Sequence, residues 1–179
     1  MIATPPGAWS LDQLRFPKQL DDDSRSEPLR ARLRASRRKL WEGGVLEVPV
    51  VSWSDRLATA LSNAERSGHL LQGIEHAERE LEKEAKGLSM ADARSSIERG
   101  SRVSRLLLTS NDGSERFSRQ VERLLRTHGA RVLALQLDAT STQLAAVRGE
   151  SGSFARALLV EHKTSVASVL LALCEEPGS

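Results

Sequence analysis

Three short apolar runs in the last third of the chain constrain its fold more than any other feature. They are Val103-Ser104-Arg105-Leu106-Leu107-Leu108, Val132-Leu133-Ala134-Leu135-Gln136-Leu137 and Phe154-Ala155-Arg156-Ala157-Leu158-Leu159-Val160. They are continuous rather than alternating, the pattern of strands covered on both faces, as in a parallel sheet between helices. Helical periodicity fills the gaps. Residues 115–128 put Phe117, Val121, Leu124 and Leu125 on one face and stop at Gly129. A short helix fits 142–148, and a last one fits 165–174 with Val166, Val169, Leu170 and Leu173 inward. A helix as long as 115–128 between two buried strands suits a right-handed crossover. The expected fold class is α/β: a small, mainly parallel sheet with helices on both faces, preceded by a helical N-terminal region.

Upstream, the chain divides by composition. Residues 1–24, with Pro5, Pro6, Pro17 and Asp21-Asp22-Asp23, read as a loosely ordered arm, whose Trp9, Leu11, Leu14 and Phe16 offer apolar area for docking on the body. Residues 25–99 read as a helical region with one edge strand, and 100–176 as a βαβαβα unit. A first helix is expected over 27–41, with Pro28 in its first turn and Gly43-Gly44 as its stop. Val45 to Val51 then reads as a strand, which Pro49 assigns to an edge. Further helices are expected over 55–67 behind Ser54, over 70–86 with Gly87 as the stop, and over a short piece from Ser89 to Arg99.

Composition narrows the chemistry. Aromatics make up 3% and Tyr is absent, so the core must be built from Leu, Val and Ala, and base-stacking platforms are few. The net charge of +2 hides two basic patches: nine Lys/Arg against five Asp/Glu over 1–41, and eight against three over 99–131. A single cysteine, Cys174, excludes an intramolecular disulfide and a Cys-based zinc site. No apolar run approaches the roughly 20 residues that cross a bilayer. The first residues lack the basic-then-apolar order of a signal peptide, so the expected setting is cytoplasmic. The excess of Arg over Lys is typical of GC-rich bacterial genomes. The histidines show no ligand spacing: His69 and His76 are seven apart and no His-Glu-x-x-His occurs, so neither a metal nor a cofactor is expected.

Three constellations are candidates for function. Arg116, Arg119, Arg123 and Arg126 recur at three, four and three residues, on one stripe of a helix opposite Phe117, Val121 and Leu124. Arg30, Arg34, Arg37 and Arg38 belong to a segment with six basic residues in ten and no acid among them. Both surfaces suit the phosphates of RNA or an acidic protein. Solvated helix faces with Glu115–Arg119 and Glu122–Arg126 pairs are the bland reading. The third constellation is the loop Ser110, Asn111, Asp112 with Asp138, His162 and Lys163, all expected at the carboxyl edge of a parallel sheet, where ligands gather. There Asp112 or Asp138 could act as a base and His162 or Lys163 could hold an anion. Turn formers and helix caps supply the same residue types routinely.

One resemblance covers roughly 80 residues of the chain. Ser96-Ile97-Glu98-Arg99-Gly100, Leu106-Leu107-Leu108, Ser110-Asn111-Asp112, His128-Gly129, Thr142-Gln143-Leu144 and Gly149 follow one another in an order that resembles the kink-turn-binding ribosomal-protein family, whose fold also supplies the third domain of eukaryotic-type release factors. The resemblance implies an α/β/α fold and contact with RNA or the ribosome. The Gly-x-Asn-Glu-x-x-Lys phrase of RNA-binding members, sought just before the first strand, is absent from Gly87 to Arg94, and a shared fold does not carry the activity. The expected function is therefore a non-enzymatic RNA- or ribosome-associated binding module. A protein-assembly subunit using charged helices is the first alternative, and a small α/β enzyme with a site at Asp112, Asp138 and His162 is the second.

Overall fold

The computed structural model of the chain describes residues 9–94, 102–149 and 153–174. The phrase from Ser96 to Gly100, Arg99 included, lies outside the described residues, as do residues 1–8. Six strands, β1 (Arg37–Lys39), β2 (Glu47–Ser52), β3 (Leu70–Gln72), β4 (Arg105–Thr109), β5 (Val132–Asp138) and β6 (Ala157–Val160), form one sheet in the order β1-β2-β5-β4-β6-β3. Among the described residues six α-helices accompany them: α1 (Ser26–Ala35), α2 (Asp55–Arg66), α3 (Ile74–Arg94), α4 (Glu115–His128), α5 (Ser141–Ala146) and α6 (Lys163–Cys174). α3 packs on α4, while α1 and α2 pack on α6, so the helices fall into two groups, one on each face of the sheet. The fold is α/β. Leu106, Leu107 and Leu108 are each fully buried, which is why the β4 run shows no alternation. Among the described residues no helix is long and apolar enough to cross a membrane.

The sheet is mixed rather than mainly parallel. β2, β5 and β4 are parallel neighbours, and α4 forms the crossover between β4 and β5. β6 runs antiparallel to β4, β3 antiparallel to β6, and β1 antiparallel to β2. The connection between β5 and β6 holds the six-residue α5 and does not cross the sheet. The chain therefore re-enters at the end where β5 left it, with Ala157 opposite Thr109.

Three elements differ from the sequence reading for reasons of pairing. The first helix ends at Ala35, and Arg37 to Lys39 become a strand because β2 offers them a partner, Arg37 facing Pro49 and Lys39 facing Glu47. β2 is accordingly interior. Pro49 is tolerated because β1 pairs with residues 47–49 whereas β5 pairs with 50–52. Leu70 to Gln72 form the edge strand β3 on β6, and Gly73, at φ +98°, makes the turn into α3, which passes through Gly87 to Arg94.

Residues 9–20 are part of the core. Trp9, Leu11, Leu14, Phe16 and Leu20 are all buried, and the Trp9 indole N–H donates to the Val132 carbonyl at 2.8 Å. Gly129 makes room for the indole: a Cβ there would stand 2.5 Å from Trp9 Cδ1. Trp9→Ala is expected to cost about 3–5 kcal/mol, read as a lowered urea midpoint. A cost below about 1 kcal/mol would mean that the segment is an ornament on a body that folds without it.

Candidate nucleic-acid interface

The expected carboxyl-edge cluster is divided by the reversal of β6. Ser110, Asn111, Asp112 and Asp138 meet at the end of β4 and β5. His162 and Lys163 follow the last residue of β6, where Val160 faces Leu106 near the start of β4, at the opposite end of the sheet. There they line a separate cleft of about 620 Å³ with Glu84 and Arg105, and the His162 ring stacks on His69 at 4.4 Å. At the first end most polar groups satisfy one another, the buried Ser110 hydroxyl lacking a hydrogen-bond partner among the described residues. Asp112 accepts from the Ser141 N–H at 3.1 Å and the Ser141 hydroxyl at 2.8 Å, closing the start of α5. Asn111 Nδ2 donates to Asp138 at 3.1 Å, and the buried Ser110 donates its N–H to the Arg156 carbonyl at 2.9 Å. Burial pushes the Asp112 carboxyl up, but the nearby Ser110 hydroxyl and both Ser141 donors pull it down further, leaving it below the ordinary aspartate value. A carboxylate thus occupies the place an incoming anion would need. Among the described residues no group of three or more His, Cys, Asp or Glu side chains could hold a metal ion.

The first arginine cluster is largely engaged inside the molecule. Arg30 lies over the Phe16 ring at 4.4 Å and donates to the Leu14 carbonyl at 3.1 Å. Arg34 and Arg37 share the Asp12 carboxylate at 3.0 and 3.2 Å. These three side chains tie α1 and β1 to the N-terminal segment. Arg38 and Lys39, on the outermost strand, are left exposed.

The stripe on α4 does face solvent. Arg119 meets Glu115 at 2.5 Å, Arg126 stands 3.9 Å from Glu122 and Arg123 stands 4.0 Å from Glu78, but all three guanidinium side chains are more than half exposed. Such pairs contribute about 0–1 kcal/mol and exchange readily for another anion. On its inner side the helix is fixed by Glu122, which is buried. Its carboxylate accepts from the N–H groups of Val45 and Leu46 at 2.8 and 2.9 Å and from the Trp41 indole at 3.0 Å.

Arg116 belongs to a cleft that the sequence did not reveal. It opens between the first turn of α3, the first turn of α4 and the approach to β6, with a volume of about 570 Å³. Arg79, Arg116 and Arg156 line it against one carboxylate, Glu75, and none of the three guanidinium groups has a hydrogen bond or ion pair among the described residues. Phe154 stands at the cleft and is 66% exposed. Its backbone is nonetheless held, because Gln72 Nε2 donates to the Phe154 carbonyl at 3.1 Å and the Gly73 N–H donates to the Ala157 carbonyl at 2.9 Å. An exposed aromatic ring on a fixed backbone, bordered by three unpaired guanidinium groups, can stack an aromatic base and neutralise the phosphates attached to it. Phe154 and Arg156 lie in the run expected as a buried strand, and Arg79 carries no sequence signal of its own. The available signal was the bulky polar residue in Phe154-Ala155-Arg156, where only the two alanines flanking Arg156 are small enough to tuck against the body.

No family model matches the chain, and no curated protein matches it. Solved structures that are similar in part include two of note. A protein with unknown function from Bacillus halodurans shares 15% identity over 69% of this chain and 100% of its own, with a TM-score of 0.45. The Giardia lamblia 15.5kD RNA binding protein shares 10% identity over 66% of this chain and 84% of its own, also with a TM-score of 0.45. Likenesses this distant carry no argument, and the kink-turn resemblance stands without a matching family model.

The Glu122 clamp has a defined pH dependence. Burial pushes its carboxyl up, but the Leu46 and Val45 N–H groups, the Trp41 indole and Arg126 together bring it below the ordinary glutamate value of 4.5. A carboxyl lowered on folding contributes stability that is complete above its unfolded value and is lost as pH falls through its folded value. Glu122→Gln should therefore cost about 1–3 kcal/mol at neutral pH and almost nothing at strongly acid pH, as urea titrations of parent and variant at the two extremes will measure.

Proposed function

We propose that this chain is a non-enzymatic RNA-binding module that takes an unpaired nucleotide of an RNA strand into the cleft beside Phe154. The observation that carries this reading is the combination in one concavity of an exposed aromatic ring and three arginines without partners. A purely structural surface gains nothing from either. An aromatic ring in water forfeits burial, and guanidinium groups gathered around one concavity repel one another. An RNA nucleotide answers both, offering a base to the ring and phosphates to the cations.

The enzyme alternative is weakened, because His162 lies at the other end of the sheet from Asp112 and Asp138, whose carboxylates are bonded to neighbouring side chains and N–H groups. A protein partner would have to be acidic and would use the same cations, but it gives the exposed ring no specific role.

Fluorescence anisotropy with a labelled unstructured RNA tests the reading. Affinity should fall steeply with salt, and Arg79→Glu/Arg156→Glu should abolish binding in a protein that remains folded. Phe154→Ala should weaken binding by about 1–3 kcal/mol with little change in the salt slope, since it removes a stacked base and no phosphate contact. If parent and variants bind equally, or if the parent binds no RNA at low salt, the cleft has another use.

A further inference from the structure

Across α4 from the cleft, a second device is built around Trp41. The indole lies flat on the backbone of Gly43 and Gly44. A Cβ at Gly43 would stand 2.4 Å from the ring and one at Gly44 would stand 2.8 Å from Nε1, so only glycine permits this approach at either position. The indole N–H is fixed by Glu122 at 3.0 Å, and the opposite face of the ring carries the Arg119 guanidinium 4.4 Å from its centroid. Trp41 is thus packed on one face, bonded at its edge and stacked beneath a cation on the other. It has no free face for a base. It holds Arg119 in place.

A guanidinium presented in this way has lost part of its rotamer freedom before any ligand arrives, which is how an arginine is prepared for a phosphate. Arg119 remains 58% exposed, and its one carboxylate partner, Glu115, is equally exposed. The charges around it can be named. Arg38 and Lys39 lie on β1 just before Trp41, Arg123 and Arg126 continue the α4 stripe, and the exposed Glu42 and Glu47 oppose them, Glu47 facing Lys39 in the ladder. Glu122 is saturated by three N–H donors and offers a phosphate little repulsion.

We infer that the Trp41–Arg119 stack is a second RNA contact, a preset phosphate clasp on the flank of α4 opposite the cleft, and that Trp41 is the positioning residue of Arg119. The inference rests on the RNA reading above. A strand with one nucleotide beside Phe154 then crosses the Arg116–Arg119–Arg123 ridge to reach the clasp, so the footprint exceeds a single nucleotide.

The length of the RNA separates the two contacts. Anisotropy titrations with unstructured oligonucleotides of about 4 and about 12 nucleotides, each over a range of salt, are the experiment. Arg119→Gln, which leaves the Trp41–Glu122 bond intact, should weaken the longer oligonucleotide about threefold to tenfold, lower the magnitude of its salt slope by about 0.7, and leave the shorter one unchanged. Trp41→Leu should do the same, and Trp41→Phe, which keeps a ring under the guanidinium, should recover most of the loss. Equal binding of both lengths by Arg119→Gln and parent would overturn the clasp while leaving the cleft reading standing. So would an equal loss on both lengths. A parent that binds neither oligonucleotide removes the RNA reading and the clasp together. Should Trp41→Leu fail to fold, Arg119→Gln still decides.

Discussion

The reversal of β6 governs the layout of this molecule. A crossover spanning the sheet would have delivered β6 parallel to β4 and gathered every strand end of the C-terminal unit at one edge. The connection through α5 does not do so, and β6 enters where β5 leaves. From that single turn-back follow the antiparallel half of the sheet, the open position for β3 alongside β6, and the meeting of Gly73, Phe154 and the first turn of α4 around one concavity. The same reversal sends His162 and Lys163 to the far end, where they cannot cooperate with the carboxylates of the β4 and β5 loops. Topology here distributes chemistry before any individual side chain is chosen.

Charge is distributed with comparable economy. Arginines near the N-terminus serve largely as internal ties, to Asp12, to the Phe16 ring and to main-chain carbonyls. Those on α4 are exposed and lightly paired, and those in the cleft have no side-chain partner among the described residues. The distinction is energetic. A guanidinium that is half buried over a ring and bonded to a carbonyl must give up those contacts to bind elsewhere, whereas one in an exposed pair gives up very little.

The central part of this arrangement was legible in the sequence. Continuous apolar runs mark β4, β5 and β6 because both faces of those strands are covered, and the spacing of Phe117, Val121, Leu124 and Leu125 marks α4 because only one face of it is. The stripe of arginines opposite could be read by the same arithmetic. What escaped was whatever depended on a partner distant in sequence. Arg37 to Lys39 look helical until β2 is available to pair with them, and Leu70 to Gln72 look helical until β6 is. The direction of β6 is set by the path of the connection before it, which no spacing in the sequence records. The cleft joins residues 72–79, 114–120 and 154–157, three segments with no mutual spacing to detect. Trp41 was passed over as the end of a helix, since its role depends on Glu122 and Arg119, both far along the chain.

The bond between Trp9 and Val132 joins residues 123 positions apart. During synthesis the indole emerges long before its acceptor exists, and so does β2, whose parallel neighbour is β5. Pairings of such long range form slowly, after the closure of large loops. The opening segment must therefore wait, greasy and unsheltered, while most of the polypeptide is still being made. The residues around Trp9 therefore settle only after β5 has been made.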